Sequence, residues 1–424
     1  MKKIWQITYN VFFIPVLYLI LIFISIFSKK IRSGISGRKR IFEELILNRL
    51  TLDLSKKTIW FHSSSLGEFE QAKPIIEKLK KETDVKIVVS FFSPSGYENS
   101  KKYPYADIIT YLPFDSKWRA RRFIELISPS MAVFMRYDIW PNHIWTLKEK
   151  NIPCLLVDAT MKKNSPRKLP LIKSFHKYLF EDFIKILTVS EEDADGFKSF
   201  NCKKVKIKVV GDTRFDRVYS RSLASKESKI ISKEVLKGSK VLVAGSTWPQ
   251  DEDVIIPSFL KLLKYDNSAV MIVAPHEPTL LHLEKLEHEF AGQASFIRLS
   301  NINNYTDQKI IIVDSIGVLS ILYNYADVAF IGGSFKINVH NVLEAAVYGL
   351  PVLFGPKIEN SQEANKLVEA GGGIIIKDKN SFYRSLRKLF SDEKLLIESG
   401  RKSYKFVNNN VGTTDRIIKE IFSA

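Results

Sequence analysis

Fourteen short apolar runs, four to eight residues each, alternate with helix-like segments along this chain. In the first half they are Thr58–His62, Val85–Phe92, Asp107–Leu112, Met131–Met135, Cys154–Val157, Ile184–Val189 and Val205–Val210. In the second half they are Val241–Ala244, Val270–Ala274, Phe296–Leu299, Lys309–Val313, Val328–Ile331, Pro351–Phe354 and Gly373–Ile376. Most are continuous rather than alternating, as strands buried on both faces are. Strands spaced by helices predict parallel, doubly wound α/β sheets. A Ser/Lys-rich stretch, 220–240, separates the halves, and 424 residues suffice for two cores. The reading is therefore an N-terminal segment 1–33, a first Rossmann-like domain 34–219, a linker 220–240 and a second domain 241–424. The final helix-like segment, Thr414–Phe422, is amphipathic, which says only that it packs somewhere, a return onto the first domain being the arrangement considered.

The N-terminal segment narrows the partners. Residues Ile4–Ser28 carry no charge, and as a helix they extend roughly 37 Å, enough to cross a bilayer core. Lys29, Lys30, Arg32, Arg38, Lys39 and Arg40 follow before the first acid, Glu43. The positive-inside rule then places the globular part on the cytoplasmic side of the membrane. No Ala-x-Ala site follows, which favours an anchor over a cleaved signal, although Asn10 and Pro15 interrupt a regular span. The formal charge of +18 suits anionic partners. No nucleic-acid motif is present, so an anionic membrane surface and phosphorylated lipid are the expected partners. The acid-free interval 159–180, with Lys162, Lys163, Arg167, Lys168, Lys173 and Lys177, and the cluster Lys117–Arg122 are candidate docks, or simply solvated faces. Two cysteines, Cys154 and Cys202, give no disulfide framework.

Candidate chemistry lies where strands end, since open α/β sheets bind ligands at the carboxyl ends of their strands. Ser63-Ser64-Ser65-Leu66-Gly67-Glu68 joins a strand to a helix, so Glu68 either caps that helix or faces a ligand. Arg136-Tyr137-Asp138-Ile139-Trp140-Pro141-Asn142 follows another strand and reads as an aromatic plug or a polar site. Gly211–Asp216 holds Arg214, which forms a surface ion pair or counters a substrate anion. In the second half, Ala244-Gly245-Ser246-Thr247 and Gly332-Gly333-Ser334 are small-residue turns that let backbone N–H groups approach a phosphate; neither is a dinucleotide or Walker fingerprint. Pro275-His276 ends a strand without metal-ligand spacing. Asn341 and Glu344 form a helix cap or accept from a ribose diol.

Taken in order, these motifs, with Leu112-Pro113-Phe114-Asp115 and Ala326–Ser334, resemble the 3-deoxy-D-manno-octulosonic acid (Kdo) transferases of lipopolysaccharide synthesis over nearly the whole chain. The resemblance implies the two-Rossmann GT-B fold and transfer of Kdo from CMP-Kdo to the lipid A precursor, with inversion and without a metal or other cofactor. It implies Glu68 as the catalytic base. It implies Arg214, Ser246, Thr247, Pro275, His276, Gly333, Ser334, Asn341 and Glu344 on the donor, and Ser65, Gly67, Asp138, Trp140, Asn142, Lys162 and Arg167 on the acceptor side. Three departures stand out: Arg136 replaces the first of two family acids, Ala274-Pro275-His276 stands where Pro-Arg-His is common, and Trp248 replaces a frequent histidine. A different lipid-acting GT-B transferase, a sugar-nucleotide epimerase and a non-catalytic membrane-bound binding protein are the competing readings.

Overall fold

Every apolar run becomes a strand, because a run without alternation satisfies its backbone only inside a sheet covered on both faces. In the computed structural model, which describes all residues except 51, 52, 54 and 233, the chain forms two compact units. One comprises Met1–Arg217 with Gly412–Ala424, and the other Val218–Val411.

The first unit holds β1 (Thr58–Ser63), β2 (Lys86–Phe91), β3 (Ile108–Tyr111), β4 (Met131–Met135), β5 (Cys154–Ala159), β6 (Lys185–Thr188) and β7 (Lys206–Val209). They pair in parallel in the order β3-β2-β1-β4-β5-β6-β7. Alternate residues fill two cores. Trp60, Val88, Phe134 and Leu156 face one, and Phe61, Val89, Val133 and Leu155 the other. Among the described residues of this sheet, exposed positions fall on the edge strand β7.

The second unit holds β8 (Lys240–Thr247), β9 (Ala269–Pro275), β10 (Phe296–Arg298), β11 (Ile310–Ile312), β12 (Val328–Ile331), β13 (Val352–Phe354) and β14 (Gly373–Ile375). Its parallel order is β10-β11-β9-β8-β12-β13-β14. Helices such as Pro249–Leu263 and Lys379–Ser391 cover one face through Ile255, Phe259, Phe382 and Leu386.

The chain leaves the first unit within a helix, Thr213–Ser225. The stretch read as a linker, 220–240, thus begins as helix, because the face holding Phe215, Val218 and Ser222 is buried. The last helix, Thr413–Phe422, belongs to the first unit. Ile417, Ile418 and Ile421 enter the core of Phe69, Ile75 and Ile76. Asp216 fixes its start by accepting from Gly412 N (2.6 Å), Thr414 N (2.6 Å) and Thr414 Oγ1 (2.7 Å).

Lys2–Phe27 forms one helix whose most apolar 18-residue stretch has a mean hydropathy of 2.6, by length and composition able to cross a membrane. Pro15 lacks an N–H for the carbonyl of Val11, and the helix widens into a π turn over Tyr9–Phe13 just before it. Its first half is docked rather than free. Lys2 pairs with Asp182 (2.6 Å), Tyr9 Oη donates to Asp115 Oδ2 (2.8 Å), and Asn10 and Asn142 exchange two amide bonds (3.0 and 3.1 Å). Trp5 and Tyr9 pack on Phe175. Arg38, read as part of the basic flank, is instead drawn inward. It donates to Leu112 O and Phe92 O and lies over three aromatic rings, because it can bond the free carbonyls at two strand ends. Burial lowers its pKa to about 10.

Candidate functional site

Each sheet has a point where the chain, having built outward on one side, returns to the centre to build the other, and ligands of such sheets bind at the carboxyl ends there. In the first unit that place lies between β1 and β4, and in the second between β8 and β12. Part of the set singled out from the sequence lies there: Ser65, Gly67 and Glu68 after β1, Asp138 and Trp140 after β4, Ser246 and Thr247 at the end of β8, and Gly333 and Ser334 after β12.

Beyond β1, Ser65 is the N-cap of the helix Leu66–Glu82, and Glu68 completes a capping box. Glu68 Oε2 accepts from Ser64 N (2.5 Å) and Ser65 N (3.3 Å), while Oε1 has no partner among the described residues. The side chain is only 8% exposed. Burial, and then the charge of Asp138, push its pKa above the ordinary range, against the pull of the Ser64 N–H. Glu68 is thus both cap and buried carboxylate. Gly67 meets only Ser65 Oγ at 3.9 Å from a would-be Cβ, so it leaves space beside Glu68.

Asp138, beyond β4, accepts from His62 Nε2 (2.7 Å) and Trp140 Nε1 (3.0 Å). Burial raises its pKa, but these bonds and the His62 charge outweigh that and hold it below the usual range. His62 in turn contacts Ser90 Oγ (2.8 Å), which also takes Trp60 Nε1–H (2.8 Å). A fixed anion therefore stands behind a carboxylate that holds its proton more readily.

Next along the sheet, Asp158 sits on an irregularity of β5 with φ +50° and accepts from Thr213 N and Oγ1. Arg214 grips Asp212 through Nε (2.9 Å) and Nη2 (2.6 Å). Burial and then Asp212 raise the pKa of Asp158; burial also acts on Asp212, but Arg214 outweighs it and holds that acid low. Arg136, φ +59°, lies close enough for its charge to favour ionisation of both, and its Nε is unpartnered among the described residues. The arginine that departs from the family pattern thus neutralises an acid pair the sequence did not connect with it.

The remaining acceptor-side candidates separate. Trp140 joins the Asp138 cluster. Asn142 is 2% exposed and its amide is engaged by Asn10 and Asp115, so it ties down the N-terminal helix and presents nothing outward. Lys162 is exposed. Arg167 donates to Tyr137 O (3.1 Å) and stacks on the Tyr137 ring.

In the second unit, Ser246 adopts φ +55° where the β8–β9 register shifts. Gly332 allows the two loops to touch: a Cβ there would lie 2.3 Å from Ser246 O. Thr247 and Ser334 are fully buried. Thr247 Oγ1 donates to Glu252 (2.8 Å), and Ser334 Oγ accepts from Gly355 N (2.6 Å). These two hydroxyls shape the loops from within. The turn Ala244–Thr247 leads into the helix start at Pro249, where free N–H groups make an anion site. Asp251 occupies much of it, accepting from Trp248 N (2.9 Å), Gly333 N (2.8 Å) and Phe335 N (3.3 Å). A buried carboxylate satisfies donors that would otherwise be orphaned.

What faces outward is a pile of rings. His276, just past Pro275, stacks on Trp248 (4.7 Å) and on His340 (4.4 Å). Trp248 Nε1 donates to His340 Nε2 (2.9 Å), and Lys336 lies 3.2 Å above the Trp248 ring. Burial, with His276 beside it, lowers the His340 pKa to about 4. Asn341 donates to Glu344 (3.2 Å) and accepts from Leu343 N (3.2 Å). The sequence reading missed this pile and Asp251, because their partners are dozens of residues apart and no local spacing links them.

Comparison with known proteins gives this architecture a lineage. Residues 39–217 match the family described as 3-deoxy-D-manno-octulosonic-acid transferase (kdotransferase). The 3-deoxy-D-manno-octulosonic acid transferase of Aquifex aeolicus is 30% identical over 343 residues, 80% of this chain and 88% of that one. That of Chlamydophila psittaci is 29% identical, covering 76% and 75%. A bifunctional glycosyltransferase/methyltransferase of Fusobacterium nucleatum is 29% identical over 88% of this chain, which spans only 61% of its length. Among solved structures, the UDP-GlcNAc 2-epimerase of Neisseria meningitidis bound to UDP-GlcNAc superposes with a TM-score of 0.62 at 14% identity, covering 87% of this chain and all of that one. That likeness shows the GT-B-like fold alone. The sequence matches go further: this chain belongs to the 3-deoxy-D-manno-octulosonic-acid transferase family.

Proposed function

We propose that this protein transfers Kdo from CMP-Kdo to a sugar hydroxyl of the lipid A precursor, with inversion, at the cytoplasmic face of the inner membrane. The observation that carries the reading is Glu68: a buried carboxylate at the switch point, held by one oxygen and open at the other, with its pKa raised. Such a group takes a hydroxyl proton near neutral pH. As the acceptor oxygen bonds to the anomeric carbon, its proton passes to Glu68 Oε1. The bond from that carbon to the phosphate oxygen breaks, and its electron pair leaves with CMP. Asp138 and His62 keep the local charge fixed. Arg136, its Nε unpartnered among the described residues, supplies positive charge toward the carboxylate of Kdo, while Arg214 holds Asp212. The Trp248–His276–His340 pile, Lys336, Asn341 and Glu344 offer ring faces, a cation and polar groups suited to a nucleoside phosphate. The apolar helix Lys2–Phe27 and the basic residues after it supply the attachment to an anionic membrane.

The test is incubation with freshly made CMP-Kdo and a tetra-acylated lipid A precursor, read by mass. A product heavier by one or more Kdo units is expected. No gain with CMP still bound would overturn the sugar or acceptor assignment, and no gain without CMP binding would favour epimerase chemistry. Glu68→Gln keeps an acceptor for the Ser64 and Ser65 N–H groups, so the fold should persist. Transfer should fall about 10²-fold or more. Unchanged turnover would remove Glu68 from the reaction.

A further inference from the structure

A cavity of about 500 Å³ lies in the first unit between the N-terminal helix and the helix Pro170–Phe180. Trp5, Tyr9 and Phe13 form one wall, and Leu171, Ile172 and Phe175 the other. This volume falls in the range of small-molecule sites. Arg167 and His176 are the ionisable groups at its edge besides Tyr9. Burial and then Arg167 lower the His176 pKa to about 4, leaving Arg167 as the charge at neutral pH.

Three features identify the occupant. The walls are apolar and end on a cation, which suits a hydrocarbon chain attached to an anionic head. Lys162, Lys163, Lys168 and Lys173 extend that positive charge with no acid between 159 and 180. The helix that forms this wall also runs on through Ile14–Phe27, where Leu19, Phe23 and Phe27 are exposed, so the cavity and the apolar membrane-length segment share one helix. At its inner end, Trp140 lines the cavity while its indole N–H holds Asp138, in turn hydrogen-bonded to His62 beside Glu68. One residue thus borders both the hydrocarbon space and the polar cluster.

We propose that this cavity takes one acyl chain of the phosphorylated lipid acceptor, with a phosphate of its head group against Arg167. The inference rests on the acceptor reading above. It makes the N-terminal helix part of the acceptor site as well as an anchor.

The test uses the full chain in detergent micelles with a tetra-acylated, phosphorylated disaccharide lipid bearing a diazirine near one chain end. Photolysis should label Phe13, Ile172 or Phe175, and tenfold excess phosphatidylglycerol should not displace the label. Label confined to 14–27, or lost equally to phosphatidylglycerol, overturns the proposal in favour of bulk lipid contact. Ile172 is 41% exposed, so Ile172→Trp can fill the cavity without disturbing a core. It should abolish labelling at Phe175 and raise KM for the acylated acceptor about tenfold, leaving kcat and the KM of a fully de-acylated acceptor unchanged. Ile172→Ala, which opens the cavity, should retain the label. An equal KM change for both acceptors overturns the proposal. Transfer without label removes the cavity while keeping the function; label without transfer to any acceptor removes the lipid's role as acceptor, and this occupant with it.

Discussion

Asp138 makes the chemistry of Glu68 measurable. In its proposed role Glu68 must be ionised to accept a proton, so transfer should rise as pH climbs through its raised pKa. Burial is the larger cause of that elevation and Asp138 the second. Asp138→Asn removes a neighbouring negative charge, which makes ionisation of Glu68 easier. The acid limb of the kcat/KM profile should therefore move to lower pH, and an unmoved limb would show that the two carboxylates are not coupled. At this scale the placement of a side chain was legible where it follows its strand directly, as with Glu68, Asp138 and Trp140. It was illegible where a side chain answers a distant backbone. Asp251 takes N–H groups from residues 333 and 335, and Asn142 answers Asn10 across 132 positions. Nothing local in either stretch announces those partners.

Single elements were legible to within a few residues when they were strands. A run such as Met131–Met135 has the length, branching and flanks of a buried strand, and Val328–Ile331 has the same bounds in the structure as in the sequence. The two terminal helices were legible as helices but not in their packing. Amphipathicity says that a face is buried and not against what. The last helix rests on Ile417, Ile418 and Ile421 and on Asp216. Ile417→Ala should cost about 2–5 kcal/mol of first-unit stability, and Asp216→Ala about 1–3 kcal/mol through its orphaned N–H partners. Hydrogen exchange at 413–422 should accelerate in both; protection equal to the parent protein would show that the helix is held by something else. At the other end, Asn10→Leu breaks the amide exchange with buried Asn142. It should loosen residues 2–13, read as faster proteolysis there, and leave nucleotide binding unchanged.

For the molecule as a whole, alternation of strand and helix was enough to read two parallel sheets, since right-handed crossovers leave few other arrangements. Chain composition hid the boundary, because the passage between units lies inside a helix and the first unit is closed by residues that follow the second. The second unit is continuous in sequence, 218–411, and has its own core. That segment should express as a folded domain with a cooperative thermal transition. The segment 1–411 should show a lowered transition for the first unit, restored by supplying 412–424 as a peptide; an unaltered melting curve for 1–411 would contradict the assignment of Ile417 and Ile421 to that core.

This discontinuity has a consequence for biosynthesis. A ribosome delivers the apolar helix first, then seven strands whose covering helix is not yet made, then an entire second domain, and only afterwards residues 412–424. The half carrying Glu68 is therefore begun earliest and completed latest. A nascent chain waits with the apolar face of Phe69, Ile75 and Ile76 uncovered for the time needed to translate almost two hundred further residues. Early capture of the leading helix by a membrane would hold that unfinished half at a surface, away from other nascent chains, until its last helix arrives.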